Sequence, residues 1–124
     1  MEQIYLWGAG RLADDILNAL DATMPEYKSN AVFHIKGVID NDKTRQHQLF
    51  HGLEIVLPGE ALQCGFSNLI ILNDAEYLIR EQAEGGYHIP KEKVQTRWYL
   101  LQLLLRLKYD KTQDREILSV LEYW

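Results

Sequence analysis

Cysteine is nearly missing from this chain of 124 residues, where Cys64 stands alone. One thiol makes no internal disulfide, and no partner cysteine lies at a metal-binding spacing from it, so the fold needs neither a disulfide framework nor a thiolate metal site. A reducing compartment suits such a chain. Cys64, beside Gly65, reads as a packing residue because nothing around it activates a thiolate. Positive charge is scarce too. Thirteen Lys and Arg against eighteen Asp and Glu leave a net charge of −5, which argues against a nucleic-acid partner, since duplex binding rests on cations that neutralise phosphates. Long hydrophobic runs are also lacking. The most apolar stretch, Trp98 to Leu107, is broken by Gln102 and Arg106 and is too short for a bilayer. The N-terminus has no basic segment leading into an apolar one, so the expectation is a cytoplasmic protein with no membrane partner.

What is present is ordinary for a globular domain, with 47% hydrophobic and 25% charged residues in a length that fits one modest core. Gln3–Trp7 reads as a buried strand. After Gly8 and Gly10, the residues Leu12, Ala13, Ile16, Leu17 and Leu20 recur at helical spacing, with Asp14, Asp15 and Asn18 outside that stripe. Asp21 to Ala31, with Pro25, reads as a connecting loop. Val32–Asp40 is a second strand, followed by the polar stretch Asn41–Gly52. Leu53–Val56 is a short third strand, and Pro58 stands where a helix can start. Asn68–Leu72 is apolar on both faces, as a central parallel strand covered by helices is. A helix follows with Asp74 near its N-cap and Gly85-Gly86 as its stop, and Lys93–Thr96 is a weak fifth strand.

Strands alternating with helices at this spacing predict an α/β fold, an open, mostly parallel Rossmann-like sheet of order 3-2-1-4-5 with a C-terminal helical extension. Two helices are expected after Arg97. The first is apolar nearly all round, and the second carries Ile117, Leu118, Val120, Leu121 and Trp124 on one stripe. A helix apolar on every side needs cover on every side, so self-association or a downstream domain is expected through residues 97–124. The last helix reaches Trp124 with no Gly or Asn cap, and Trp124 is therefore read as an internal position of a larger protein.

The sharpest chemical signal is Gly8-Ala9-Gly10-Arg11-Leu12-Ala13, a G-x-G-x-x-A between a strand and a helix. Gly8 permits the tight turn, Gly10 has no Cβ to block a phosphate, and Ala13 allows close helix–sheet packing. The helix N-terminus offers N–H groups and a positive dipole end to a diphosphate. Arg11, a cation placed against that dipole, is a candidate partner for the phosphate, or a solvated surface residue. Asp40 closes strand two, where such folds place the carboxylate that accepts from ribose hydroxyls and disfavours a 2′-phosphate, while Asp40-Asn41-Asp42 also makes a plain turn. Asn73, at the end of strand four, completes the candidate cofactor-binding set. NAD or a nucleotide-sugar is the expected ligand.

Other motifs lead away from catalysis. His47 and His51 are an H-x3-H pair, but in a polar loop with no obvious third ligand, so no metal is expected there. His34 reads as a strand residue and His88 as a loop residue. Tyr87 and Lys91 form a Y-x-x-x-K that Pro90 keeps off one helical turn. Leu6 occupies the place of the acidic residue in a methyltransferase turn. Asp74, Glu76 and Tyr77 follow strand four, and no base, nucleophile and oxyanion arrangement assembles from them. No catalytic residue is expected in this chain.

Ile4–Leu17, Gly37–Leu62 and Asn68–Gln82 together resemble the Rossmann-like N-terminal domain that precedes FkbM-type methyltransferase domains and occurs in related polysaccharide-biosynthesis proteins. The order of the "VIDND" strand end, the "FHG" turn and the "IVLPGEAL" strand-to-helix entry carries the likeness over most of residues 1–96. The resemblance implies a nucleotide-binding domain over residues 1–96 and a helical connector over residues 97–124. It implies a nucleotide, nucleotide-sugar or related phosphorylated ligand at Gly8, Gly10, Arg11 and Asp40. The expected function is an accessory nucleotide-binding module in surface-carbohydrate biosynthesis or modification. The alternatives are a minimal NAD-dependent oxidoreductase using Asp74 or Tyr77, and a degenerate fold kept for docking and oligomerisation.

Overall fold

The computed structural model describes residues 1–112, with side chains as far as Tyr109. Ten elements follow one another: β1 (Glu2–Trp7), α1 (Arg11–Thr23), β2 (Phe33–Ile39), β3 (Leu49–Phe50), β4 (Leu53–Val56), α2 (Pro58–Cys64), β5 (Asn68–Ile71), α3 (Glu76–Glu81), β6 (Val94–Gln95) and α4 (Arg97–Thr112). The sheet order is β3-β4-β2-β1-β5-β6. Every pairing is parallel except the hairpin of β3 with β4. The five strands expected from the sequence thus lie in the expected order. The structure adds β3, two residues long and too short to carry an alternation that the polar stretch would reveal.

The pleat of the sheet sorts its apolar residues into two cores. Ile4 and Leu6 of β1 with Ile70 and Leu72 face α1 and α4, where Ala13, Leu17, Leu100, Leu103 and Leu107 meet them. Tyr5 and Trp7 with Leu69 and Ile71 face α2, α3 and the segment after α3, where Ala61, Ala83 and Ile89 pack. The β1–β2 register shifts by one residue between Ile4 and Tyr5. Gly37 follows that shift, and a Cβ there would lie 2.8 Å from the Glu54 carbonyl oxygen and 3.2 Å from the Tyr5 ring. Burial, and after it the neighbouring Cys64, pushes the Tyr5 hydroxyl up to about 12.

Several local expectations need correction. Asp21–Thr23 continues α1, because nothing breaks the helix before Pro25. Pro25–Lys28 is a 3₁₀ turn that buries Tyr27 completely, so the supposed loop supplies a core residue. Asp74 does not cap α3: its N-cap is Ala75, whose N–H donates to Asn73 Oδ1 at 2.7 Å. Cys64 is exposed rather than packed, since it ends the short helix α2 at the surface. Beyond α3 the chain makes a π turn over Gln82–Gly86, which ends the helical segment at the two glycines.

α4 buries Leu100, Leu103 and Leu107 within the chain's own core, and the Tyr99 hydroxyl donates to the Glu2 carboxylate. Its other face closes, with Ile16, Ala19 and Leu20 of α1, an apolar groove of about 300 Å³ that also touches Leu101 and Leu104. The second C-terminal helix expected from the sequence lies outside the described residues. No helix among the described residues is long and apolar enough to cross a membrane.

His51 fastens the β3–β4 turn to α1 and lies apart from His47. Its Nδ1 is 2.6 Å from Asp21 Oδ2 and its Nε2 2.7 Å from Asp14 Oδ1, with only 10% of the side chain exposed. A protonated ring donates to both carboxylates, so Asp21 first and Asp14 after it hold the His51 pKa above its ordinary 6.5 against the opposing effect of burial. The same bond holds the Asp21 carboxyl below 3.8. A raised histidine contributes fully below its unfolded value near pH 6.5 and loses its contribution as pH rises through the folded value. Asp21, being depressed, contributes above its unfolded value and loses its share as pH falls through the folded one. We expect His51→Ala to cost about 1–2 kcal/mol in urea unfolding at pH 6, with the gap to wild type narrowing at pH 9. A gap independent of pH would contradict the charged clasp.

Candidate functional site

The carboxyl edge of the sheet is organised by the turn that leaves β1. The Gly8 N–H donates to the Ile39 carbonyl at 2.9 Å, and the Leu72 N–H donates to the Trp7 carbonyl at 2.9 Å. Gly8 adopts φ +135°, and a Cβ there would stand 2.3 Å from the Leu72 carbonyl oxygen, a contact that no side chain survives. Gly10 is different in kind. It is the exposed N-cap of α1, with no side chain capping the helix and nothing within 4 Å of where its Cβ would be. Backbone N–H groups at such a terminus suit an anion.

The candidate residues divide by position. Gly8, Asp40 and Asn73 line one crevice of about 90 Å³, together with Trp7, Ile39, Asn41 and Ile79. At roughly 30 Å³ per water, that volume suits a phosphate-sized group, and anything larger extends outward. Gly10 and Arg11 are exposed outside this lining, and Ala13 is fully buried in the core beneath α1, where its small side chain serves packing.

Asp40 is not a bare carboxylate. Its Oδ1 accepts from the Asp42 N–H at 2.8 Å and its Oδ2 lies 3.5 Å from Arg45 Nη1. The same Arg45 nitrogen donates to the Ala9 carbonyl at 2.9 Å, and the guanidinium lies over the Phe50 ring at 5.8 Å. Arg45 therefore ties the middle of the glycine turn to the end of β2. The preference for a free 2′-hydroxyl expected from Asp40 is weakened by this cation, which would attract the phosphate that the carboxylate repels. Sequence reasoning missed Arg45 because it sits in a polar stretch with no periodicity. It also missed the reciprocal amide pair of Asn41 and Gln82, at 2.9 and 3.1 Å, which bridges the end of β2 to the segment after α3.

A larger hollow of about 600 Å³ lies beyond Asn41, walled by Lys43, Gln46, His47, Glu60, Gln63 and Tyr87 among others. Asp74 and Tyr77 are exposed and line neither cavity. The arrangement is equipped to bind through backbone N–H groups, amides and one paired carboxylate. Among the described residues, no base and nucleophile pair faces the crevice.

A family model described as C2185-like, N-terminal matches residues 1–95. Among solved structures, the UDP-D-quinovosamine 4-dehydrogenase from Vibrio fischeri is similar at 17% identity and a TM-score of 0.49, over 77% of this chain and 75% of that one. RSP in complex with beta-NAD+ and operator DNA is similar at 17% identity and a TM-score of 0.47, over 98% of this chain and 61% of that one. Likenesses this distant assign no ligand to the present chain. No curated protein sequence matches it.

The two glycines of the turn are separable by experiment. Gly8→Ala should cost at least about 2 kcal/mol through the Leu72 clash and the backbone strain. Gly10→Ala, with open space around it, should change stability by less than about 1 kcal/mol. Equal losses in denaturant unfolding would contradict the geometry.

Proposed function

We propose that this chain, which belongs to the C2185-like, N-terminal family, is an accessory nucleotide- or nucleotide-sugar-binding module. The diphosphate of the ligand lies against Gly10 and the first turn of α1, and one phosphate reaches toward the crevice of Gly8 and Asn73. The observation that carries this is the contrast at the turn: Gly8 is required by packing, whereas nothing in the fold fills the space at Gly10. Arg11, exposed in the first turn of α1, is placed to add a charge-assisted contact to the same phosphates. Asp40 and Arg45, at the end of β2 and the turn after it, stand where the ribose would lie.

The module serves a larger protein in surface-carbohydrate biosynthesis or modification, as the N-terminal part of an FkbM-type methyltransferase. Support for that setting is the resemblance of Ile4–Leu17, Gly37–Leu62 and Asn68–Gln82. The chemistry belongs to the larger protein, because the crevice supplies positioning groups and no reacting ones.

Titration of the chain with NAD, a UDP-sugar, coenzyme A and S-adenosylmethionine, followed by thermal shift and calorimetry, tests the binding proposal. NAD or the UDP-sugar should raise the melting temperature, and Gly10→Val should weaken that ligand at least about tenfold, because a branched side chain occupies the phosphate's place. Gly10→Val should keep the wild-type melting temperature without ligand to within a few degrees, roughly what a change under 1 kcal/mol produces. No shift with any of the four, or a Gly10→Val variant that binds as wild type does, would overturn it.

A further inference from the structure

We infer that His47, Glu54 and Glu60 form a binding site for a divalent transition-metal ion of the zinc type, apart from the nucleotide crevice. Each residue offers one ligand atom, and the three atoms lie within 4.8 Å of one another. They come from three different elements: His47 from the turn before β3, Glu54 from β4, and Glu60 from the first turn of α2. The backbone fixes the histidine. Its N–H donates to the Ile55 carbonyl at 2.7 Å, and it is held at φ +67°, a left-handed conformation uncommon for a side-chain-bearing residue.

The spacing around His47 differs from that of a histidine satisfied by carboxylates. His51 shows the satisfied case in the same chain, with both nitrogens at 2.6 and 2.7 Å from their partners. His47 Nδ1 lies 3.5 Å from Glu54 Oε1 and its Nε2 lies 3.8 Å from Glu60 Oε2, both too far for a good hydrogen bond. A cation on one nitrogen is met by the glutamate facing that nitrogen, and the other glutamate swings across to complete the set. Ligand atoms about 2.0–2.2 Å from a tetrahedral zinc lie roughly 3.3–3.5 Å from one another. Reaching that from 4.8 Å takes movements of about 1.5 Å at most, within the rotation of exposed side chains.

The donor chemistry narrows the ion. An imidazole with two carboxylates suits zinc and its first-row neighbours, whereas magnesium and calcium take oxygen ligands alone. A divalent cation would neutralise the two glutamates. Gln46 Nε2 donates to Glu60 Oε2 at 3.2 Å and so orients that carboxylate. His47 and Glu60 also wall the hollow of about 600 Å³, so three protein ligands would leave a coordination position open to water or a small anion. The H-x3-H spacing pointed at the wrong partner. His51 is engaged by α1, and the residues that complete the set come from β4 and α2.

Calorimetric titration of the chelator-treated chain with zinc chloride tests the assignment. Wild type should bind one ion per chain, and both His47→Asn and Glu60→Gln should weaken it at least about tenfold. Asparagine tolerates the left-handed backbone at position 47, and circular dichroism identifies a variant that has lost its fold; Glu60→Gln then supplies the comparison. Cys64→Ser, outside the site, should bind as wild type does. The assignment is overturned by the absence of saturable binding to wild type, by affinity unchanged in folded His47→Asn and Glu60→Gln, or by binding lost in Cys64→Ser alone.

Discussion

The close approach of Gly8 to the end of β5 is the constraint on which the carboxyl edge of this fold depends. With the Gly8 N–H on Ile39 and its α-carbon against the Leu72 carbonyl, β1 leaves the sheet in one direction only. That direction buries Ala9 and sets Gly10 at the start of α1. Arg45 then reads the result, since its bond to the Ala9 carbonyl requires that the turn already have this shape. The crevice, the helix terminus and the end of β2 are thus positioned by one backbone contact.

Polar groups at this edge are held mostly by one another. Arg45 balances Asp40, Asn41 exchanges amide bonds with Gln82, and Asn73 accepts from the α3 N-cap. Together these pairings fix the walls of a small hollow. The exception is Gly10, where the fold leaves space and no side chain caps the helix. A site with fixed walls and one open backbone terminus is built for recognition. That is the physical basis for the proposal of a binding module.

The parts legible in the sequence were those with strong local signals. Asn68–Leu72, apolar on both faces, holds β5, a parallel strand between β1 and β6 rather than at the middle of the sheet, and the alternation of strands and helices gave the order of the five parallel strands. Gly8 and Gly10 could be identified by type and context, though their different roles depend on Leu72, sixty-odd residues away. Tyr27 was hidden because a single buried aromatic in a polar 3₁₀ turn has no period. Arg45, Gln82 and the grouping of His47 with Glu54 and Glu60 arise only when separate elements meet, and spacing along the chain does not encode them. His47 and His51 show the limit most clearly: four residues apart, they serve different ends of the structure.

The most direct measurement is a two-dimensional amide spectrum of the ¹⁵N-labelled chain, recorded with increasing NAD and, separately, a UDP-sugar. If the turn holds a diphosphate, the amide signals of Gly10, Arg11 and Leu12 move most, those of Gly8 and Asn73 follow, and signals from α2 and α4 stay in place. Shifts confined to the α1–α4 groove or to the hollow at His47, or a spectrum unchanged by both ligands, would contradict a nucleotide site at the glycine turn.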